Sequence, residues 1–345
     1  MKKLIIHIGT HKTGTTAIQS FTRANKKLFN RNDYGIIYYA DLPLSIINKF
    51  SLSKHINYHE IDILKKFLSD KIKGKYDNYF LSWEGFSGDM ASNYRNIKVV
   101  STMLAKAIPD KVLLEIIIFF RRQDDFVQSA YAQFMYTGKF NDFKSFLAQV
   151  DRNNLDWNKF IQRIEEAFPK DTKLHILPYD AFVLKGKNII NLIGEVLMLN
   201  DLKQLKSIPQ KNVGMSEASA ILYERLNSKI EHSPYQLNLL RKHLQQTGNK
   251  GFLIEYNYMN DNEKEHFLAY FNRQNKILAN KYWNEKFNID NFSMISKAEI
   301  SNDEKSIDSD ELIMALLKEI EEIRINYSRN LILKLVNRIS AFLNI

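Results

Sequence analysis

The sequence predicts an α/β protein built around a central parallel sheet, followed by a helical C-terminal part. Three observations on the 345-residue chain lead to this prediction. Apolar segments of strand length alternate with amphipathic segments of helical length in the first half. A glycine-rich stretch, from His7 to Thr16, separates the first apolar segment from the first helical one. Beyond the last predicted strand, the apolar residues recur almost entirely at helical spacing.

Five apolar runs predict strands at residues 4–8, 35–39, 78–82, 112–120 and 173–177. Amphipathic periodicity predicts helices between and after them. These predicted helices cover 16–21, 60–72, 96–108, the segment after Arg122 through Tyr136, 189–198, 216–230, 234–246 and 262–283.

The glycine-rich stretch places a turn and a helix N-terminus directly after the first strand. From Gly9 it reads glycine, four residues, Gly14, Thr15 and Thr16, which is the spacing of a nucleotide triphosphate-binding loop. In that loop a lysine follows the second glycine, whereas here the lysine is Lys12, two residues before it. Backbone N–H groups and the helix dipole attract an anion at such a place. The displaced lysine favours the bridging oxygen of a phosphosulfate, and the alternative is a turn with incidental glycines.

A second polar constellation follows the predicted strand at 112–120. The strand ends in Arg121 and Arg122, and Ser129 lies eight positions after the first of them, on a predicted helix. A guanidinium at a strand end and a hydroxyl two turns into the next helix could converge on one phosphate. Asp124 is expected to cap that helix. The alternative is a solvent-exposed arginine pair neutralised by Asp124 and Asp125.

Together, the two segments resemble the donor-binding motifs of sulfotransferases that use 3′-phosphoadenosine 5′-phosphosulfate (PAPS). That family carries a K-x-G-[ST]-[ST] loop after its first strand, matched here by Lys12, Thr13, Gly14, Thr15 and Thr16. It also carries an arginine at a strand end and a serine eight residues later, matched by Arg121 and Ser129. The string RRQD…SAY is similar to the bacterial carbohydrate branch. The resemblance implies a P-loop-like three-layer fold with a central parallel sheet.

The resemblance also implies a reaction. A sulfuryl group would pass from PAPS to a hydroxyl of a carbohydrate or glycolipid, releasing adenosine 3′,5′-bisphosphate without a metal. Lys12 would stabilise the charge that develops on the bridging oxygen. The threonine hydroxyls and the N–H groups from Gly14 onward would hold the 5′-phosphate and sulfonate oxygens. Arg121 and Ser129 would bind the 3′-phosphate. Lys211 lies where related enzymes have a basic loop over the nucleotide and could bind the same phosphate, and the alternative is a solvated turn.

An acceptor hydroxyl needs a base, and Glu84 is the first candidate. It follows the third predicted strand, where carbohydrate sulfotransferases carry a glutamate base, although Gly85 stands here where heparan-type enzymes have lysine. A strand-end cap or salt-bridge partner is the alternative role for Glu84. His11 in the loop could contact donor or acceptor. Three further histidines rank lower: His7, expected in the core, and His55 and His59, expected to share a helical face.

Composition limits the function classes. The chain has no cysteine, which excludes disulfides, thiolate metal sites and cysteine nucleophiles. Its net charge of +10 suits a polyanionic donor, and its basic residues are dispersed among acidic ones, so we expect no nucleic acid partner. The first predicted strand begins at once and no apolar run approaches membrane-spanning length. We therefore expect a cytoplasmic protein.

The pattern divides the chain into an α/β domain over 1–295, a polar linker over 296–310 and an amphipathic helical extension over 311–345. The extension carries basic residues beside an apolar face. Such a helix could bind the cytoplasmic face of a membrane, dock on the domain or pair with a second subunit. Two other functions stay open from the sequence: a nucleotide kinase or triphosphatase, and a non-catalytic nucleotide-binding or nucleic-acid-binding protein.

Overall fold

Five strands form one parallel sheet in the computed structural model of the protein, which describes residues 1–135, 140, 142–180, 184, 188–200, 257–283, 287 and 289–293. They are β1 (Lys3–His7), β2 (Tyr34–Ile37), β3 (Asn78–Ser82), β4 (Leu113–Phe120) and β5 (Lys173–Pro178). Every neighbouring pair is parallel, and each strand coincides with a predicted apolar run. The largest difference is at β2, which ends at Ile37 because a 3-10 turn begins at Tyr39.

Helices flank the sheet, as predicted for a three-layer α/β fold. In chain order they are α1 (Thr15–Ala24), α2 (Lys26–Arg31), α3 (Leu44–Lys49), α4 (Tyr58–Ile72), α5 (Ile97–Ala107), α6 (Gln123–Met135), α7 (Phe143–Leu147), α8 (Trp157–Glu165), α9 (Ile189–Val196), α10 (Asp261–Ala269), α11 (Asn272–Tyr282) and α12 (Asp290–Ser293). Helix α1 contacts α9, whereas α5 contacts both α4 and α8, and α8 contacts α11. None of the helices in this described part is long and apolar enough to cross a membrane.

One segment that was predicted as a single helix is two helices in the structure. The segment predicted as a single helix over 262–283 is two helices, α10 and α11, which meet at a turn around Tyr270. The buried positions Leu268, Phe271 and Leu278 stay in helical register across the turn, so periodicity alone does not reveal it. The helices predicted over 216–230 and 234–246, Lys211, and the linker and extension over 296–345 lie outside the described residues.

The strand order, β2-β3-β1-β4-β5, determines where a ligand can bind. Strand β1 lies between β3 and β4, with His7 level with Ser82 on one side and Ile117 on the other. From β1 the chain continues toward β2, whereas from β4 it continues toward β5 on the opposite side. Loops that diverge from two adjacent parallel strands leave a crevice at the carboxyl edge of the sheet, which is the usual ligand site of open α/β sheets. That crevice lies between the loop after β1 and the residues after β4.

A packed aromatic cluster fixes the end of β4. Phe120 stacks on Trp157 at a centroid distance of 5.0 Å, and Phe160 meets Phe120 edge-on at 5.5 Å. Asp156 caps α8 by accepting the N–H groups of its first turn, which holds Trp157 at the start of that helix. The indole N–H of Trp157 then donates to the carbonyl of Arg121 at 2.8 Å. The backbone at the end of β4 is therefore held by the core.

The chain divides into two compact units. The first comprises Met1–Ala130, Val150–Gln210 and Asp261–Ser296 and contains the sheet. The second comprises Tyr131–Gln149, Lys211–Asn260 and Lys297–Ile345. Among the described residues of this second unit, Tyr131 and Phe143 pack on Tyr258 at centroid distances of 4.8 and 5.4 Å. All residues of the candidate site described below belong to the first unit.

Candidate functional site

The loop after β1 remains bonded to β4 before it turns. The N–H of Thr10 donates to the Phe119 carbonyl at 3.0 Å, and the N–H of Phe119 donates to the Gly9 carbonyl at 2.7 Å. The chain then takes left-handed backbone angles, with φ of +92° at Gly9, 64° at Lys12 and 76° at Gly14. A lysine in this conformation is strained, and such strain concentrates at functional sites. Two glycines and one lysine of the loop thus hold left-handed angles.

Two close approaches explain both glycines. A methyl group on Gly14 would lie 2.4 Å from Cδ1 of Ile189 and 3.1 Å from Cε2 of Tyr179, and one on Gly9 would lie 3.1 Å from Cβ of Glu84. Since Cβ contacts shorter than 3 Å hardly occur, a side chain on Gly14 would force the end of the Ile189 side chain to move. The loop is therefore bordered on one side by Glu84, which follows β3, and on the other by Tyr179, which follows β5.

The three threonines of the loop have different environments. Thr13 is fully buried and its hydroxyl donates to the Thr10 carbonyl. The hydroxyl of Thr15 is also buried but has no hydrogen-bond partner among the described residues. Thr16 is exposed on the first turn of α1, and Gly14, at the N-cap, supplies no side-chain cap to that helix. A buried hydroxyl without a partner beside an uncapped helix N-terminus is the place where a ligand oxygen would satisfy the protein.

Glu84 lies beside the loop in a partly desolvated position. Burial raises the pKa of its carboxyl, and the nearby charge of Lys12 opposes that rise. Its Oε2 atom is buried and has no hydrogen-bond partner among the residues that the structure describes. Glu84 opens a 3-10 turn, Glu84–Ser87, directly after Trp83. A carboxylate with a raised pKa next to an ammonium group can accept a proton from a substrate hydroxyl.

The ring of His11 is neutral at physiological pH. Burial lowers the pKa of His11 to about 4; the charge of Asp89 opposes this, and that of Lys12 adds to it. Its Nδ1 lies 3.2 Å from the hydroxyl of Tyr94 and 3.4 Å from that of Ser87. The backbone N–H of His11 also donates to the Tyr94 hydroxyl at 3.1 Å. These contacts hold His11 in place on the Glu84 side of the loop.

The two arginines after β4 have separate surroundings, so a solvent-exposed pair does not describe them. Arg122 is buried, and its guanidinium donates to both carboxylate oxygens of Asp124, at 2.8 and 2.9 Å. The expected role of Asp124 as the cap of α6 is wrong, because it lies within the first turn, where Arg122 engages its carboxylate. Arg122 thus belongs to the interior.

Arg121 lies next to the loop. Its guanidinium carbon is 5.6 Å from the centre of the Tyr179 ring, and its Nε is 3.4 Å from Oδ1 of Asp180. Gly14 also lies close to the Tyr179 ring, so the loop and Arg121 both contact this one side chain. Ser129 lies half-buried on α6, eight residues after Arg121.

Tyr179 and Asp180 are site neighbours that the sequence reasoning missed. They follow β5 directly, and β5 pairs with β4 through Phe120 and Pro178. Residues just past the carboxyl ends of adjacent parallel strands lie at the same sheet edge. The sequence signal for these two site neighbours was therefore an aromatic and an acidic residue directly after a predicted strand. Their relevance depends on the strand order, which the sequence pattern does not provide.

The remaining histidines lie elsewhere. His7 is buried at the end of β1, with Nδ1 2.8 Å from the Ser82 hydroxyl, and burial lowers its pKa to about 3. This agrees with the expected core position. The expected shared helical face of His55 and His59 is wrong, because α4 begins at Tyr58 and His55 precedes it. Across the described ranges, no three His, Asp or Glu side chains are grouped as a metal site would require.

The fold and the site together define an α/β protein with a glycine-containing loop and a helix N-terminus at the carboxyl edge of a parallel sheet. No family model matches the chain, and no curated protein matches it. Among solved structures, a crystal structure of a sulfotransferase from Alicyclobacillus acidocaldarius is similar, with a TM-score of 0.41 and 10% sequence identity. The similarity covers 82% of this chain and 96% of that one. Similarity at this level concerns the course of the chain and not its chemistry.

Proposed function

We propose that the protein transfers a sulfuryl group from PAPS to a hydroxyl group of a carbohydrate or glycolipid. The observation that carries the proposal is the placement of Tyr179 against both Gly14 of the loop and the guanidinium of Arg121. The ring thus lies between the loop at the N-terminus of α1 and a guanidinium group, and both are suited to bind anions. PAPS has the matching chemistry, since it carries a phosphosulfate at one end of its ribose and a phosphate at the other.

The residues at the loop fit a phosphosulfate. The buried Thr15 hydroxyl lacks a partner among the described residues, and helix α1 begins without a side-chain cap. Backbone N–H groups at a helix N-terminus and a nearby ammonium group bind phosphate and sulfonate oxygens. We assign this role to Lys12, Thr15, Thr16 and the N–H groups that follow Gly14. The hydroxyl of Thr13 does not share it, because Thr13 is fully buried and its one hydroxyl proton is donated to the Thr10 carbonyl.

The other end of the donor is assigned to Arg121 and Ser129, which would hold the 3′-phosphate. A guanidinium recognises a phosphate through paired N–H donors, which makes arginine suited to this task. Lys211 is kept as a predicted third contact, because it lies outside the described residues. The bound donor supplies the sulfuryl group and leaves as the bisphosphate.

Proton transfer is assigned to Glu84. As the acceptor oxygen forms its bond to sulfur, the bond between sulfur and the bridging oxygen breaks, and the hydroxyl proton passes to the Glu84 carboxylate. Burial raises the pKa of Glu84, which strengthens it as a base. Lys12, whose charge acts on Glu84, would offset the negative charge that develops on the bridging oxygen. His11, neutral and hydrogen-bonded to Tyr94 or Ser87, would contact donor or acceptor.

Calorimetric binding of adenosine 3′,5′-bisphosphate without metal, compared with ATP and magnesium, tests the proposal. We expect the bisphosphate to bind more tightly, and Arg121→Ala to weaken it roughly 10- to 100-fold, the usual loss for charge-assisted hydrogen bonds. Arg23→Ala is the matched control, because Arg23 carries the same charge but stacks on Tyr38, away from the loop. A preference for ATP with magnesium would favour a kinase or triphosphatase instead. Absence of nucleotide binding would refute the nucleotide site altogether.

Transfer itself needs a separate measurement, since a binding protein could retain the bisphosphate. Incubation with PAPS labelled in the sulfuryl group and a panel of carbohydrate and glycolipid acceptors should give labelled product. Lys12→Ala should abolish that product while reducing bisphosphate binding far less, because Lys12 acts mainly on the bridging oxygen. Product formation unchanged by Lys12→Ala would contradict the assigned role.

A further inference from the structure

The two ring nitrogens of His11 have different surroundings. Nδ1 faces the protein, 3.2 Å from the Tyr94 hydroxyl and 3.4 Å from the Ser87 hydroxyl. Nε2 makes no hydrogen bond within the described part of the chain, yet protein atoms do not enclose it, so it is open to a ligand. A neutral imidazole carries one proton, and the partners of Nδ1 therefore decide whether Nε2 donates or accepts a hydrogen bond.

Tyr94 is held with its hydroxyl against the loop. Its side chain is fully buried, and its ring meets Phe160 edge-on at a centroid distance of 5.5 Å. Asn93 and Tyr94 both have left-handed backbone angles, with φ of 54° and 57°. Two successive residues with side chains in that region store strain, which concentrates at functional sites. The Tyr94 hydroxyl also accepts the backbone N–H of His11 at 3.1 Å, so its oxygen stays beside the histidine.

The hydroxyl protons around Nδ1 can be assigned one by one. The Ser87 hydroxyl donates its proton to the Glu84 carbonyl at 2.7 Å, so its oxygen can only accept from the imidazole. Thr10 also interacts with the Tyr94 hydroxyl, and the Thr10 hydroxyl donates its own proton to the Phe119 carbonyl at 3.1 Å. Of these three hydroxyls, that of Tyr94 alone has a proton available for Nδ1.

Donor and acceptor strength decide where the Tyr94 proton goes. A phenol is a stronger donor than an aliphatic hydroxyl, and an imidazole nitrogen with a lone pair is more basic than the Thr10 oxygen. Donation from Tyr94 to Nδ1 thus pairs the strongest donor with the strongest acceptor and leaves the ring proton on Nε2. Burial lowers the pKa of His11 to about 4, so the ring binds no second proton at neutral pH.

His11 lies beside both groups that would act at the transferred sulfur. It directly precedes Lys12 in the loop. Its neighbour Ser87 belongs to the same 3-10 turn as Glu84, Glu84–Ser87. In the proposed reaction, Lys12 acts on the bridging oxygen and Glu84 takes the proton of the attacking hydroxyl. The sulfonate oxygens would therefore lie between these two residues, next to His11.

We propose that His11 is a neutral hydrogen-bond donor to the sulfonate oxygens of the bound donor, and that Tyr94 is the positioning residue that keeps the ring proton on Nε2. This inference rests on the proposed function, in which the sulfonate lies between Lys12 and Glu84. A neutral N–H fixed in direction stabilises charge on the sulfonate oxygens during transfer without gaining or losing a proton. The proton of the acceptor hydroxyl still passes to Glu84.

Nitrogen NMR of the ligand-free protein with isotope-labelled histidine tests the tautomer, because an imidazole nitrogen without a proton resonates far downfield of one that carries a proton. The signals of His11 are identified by their absence from His11→Gln. We expect a bare Nδ1 and a protonated Nε2 at neutral pH. Tyr94→Phe keeps the buried ring but removes the hydroxyl, so it should shift both signals toward the other tautomer, in which Nδ1–H donates to the Ser87 oxygen.

Ser87→Ala is the matched control for the tautomer. It removes the other hydroxyl near Nδ1, but that hydroxyl has no proton to offer the ring. We expect the His11 signals of Ser87→Ala to match those of the wild type. A protonated Nδ1 in the wild type, or equal shifts in Ser87→Ala and Tyr94→Phe, would overturn the proposal.

Sulfuryl transfer separates a donor from a base at position 11. The amide of glutamine places an N–H close to the position of Nε2, so His11→Gln should keep transfer within about tenfold of the wild type, whereas His11→Ala should lose about 10²- to 10³-fold. Affinity for adenosine 3′,5′-bisphosphate should stay unchanged in both variants, because that product lacks the sulfonate. Equal losses of transfer in the two variants would indicate a base and overturn the proposal, as would a matching loss of bisphosphate affinity.

The two levels of inference fail separately. A wild-type protein that transfers no sulfuryl group contradicts the proposed function, and the sulfonate contact of His11 is refuted with it. A wild-type protein that transfers the group while its ring proton is on Nδ1 overturns only the roles of His11 and Tyr94. Should Tyr94→Phe fail to fold, the wild-type signals still decide which nitrogen carries the proton.

Discussion

Replacing Gly14 with alanine tests the loop conformation on which the candidate site depends. Gly14 has a φ of +76°, where a residue with a side chain costs about 1–2 kcal/mol. The added methyl would also lie 2.4 Å from Cδ1 of Ile189, and relieving such overpacking costs about 1–3 kcal/mol. The two terms predict that Gly14→Ala lowers the free energy of unfolding by roughly 2–5 kcal/mol.

A double-mutant cycle separates the two terms. Ile189→Val removes the Cδ1 atom that the new methyl would meet, at its own cost of about 0.5–1.5 kcal/mol. Gly14→Ala combined with Ile189→Val should therefore be more stable than the sum of the single losses, by about 1 kcal/mol. The backbone strain should remain in the double variant, because valine at position 189 does not change the φ of residue 14.

Thermal unfolding followed by circular dichroism provides the measurement, with an expected fall of the midpoint by roughly 5–15 °C for Gly14→Ala. Binding of adenosine 3′,5′-bisphosphate should weaken in parallel, since the N–H groups after Gly14 belong to the loop. A midpoint equal to that of the wild type would refute the left-handed conformation. Strict additivity in the cycle would refute the contact with Ile189.

Three further outcomes follow from the buried charges. Glu84→Gln should lower sulfuryl transfer about 10²- to 10⁴-fold with little change in bisphosphate affinity, and equal losses of both would contradict a role as base. Arg122→Leu leaves Asp124 buried without its partner and should cost about 3–5 kcal/mol in denaturant unfolding; a loss below about 1 kcal/mol would show that the pair contributes little. Burial and the charge of Asp125 raise the pKa of Asp180, so the folded state holds a proton that the unfolded state releases. Stability should therefore fall as pH rises above about 4 toward that raised pKa, and Asp180→Asn should flatten this slope in thermal unfolding measured across pH.

The sheet could be predicted from the sequence because its strands are buried and short. In β4, the run from Ile116 to Phe120 is fully buried, so every position is apolar and the segment is recognisable without its neighbours. The boundaries of the helices were harder to predict from the sequence. The turn between α10 and α11 changes no apolar position in the pattern, since Phe271 continues the register of Leu268. The periodicity of apolar residues indicates which residues are buried, but it does not indicate whether one helix continues or a second one begins.

The candidate site was predictable where its residues are contiguous. The spacing from Gly9 to Thr16 identifies the loop, because close backbone approach and left-handed angles require glycine at defined positions. The separation of Arg121 from Arg122 was not predictable. Both follow the same strand, and their different surroundings arise from Asp124 on the next helix and Asp180 after β5.

The strain at Lys12 links the loop to its surroundings. A lysine at a φ of 64° persists only where neighbouring bonds fix the backbone on both sides. Before Lys12, the backbone N–H of Thr10 donates a hydrogen bond to the Phe119 carbonyl, and the backbone N–H of His11 donates to the Tyr94 hydroxyl. After Lys12, the Thr13 hydroxyl donates a hydrogen bond to the Thr10 carbonyl, which closes the loop. These bonds fix the direction in which the Lys12 side chain leaves the backbone before any ligand binds. In the proposed reaction, this preorganisation would let the ammonium group stabilise developing charge without reorganising the loop.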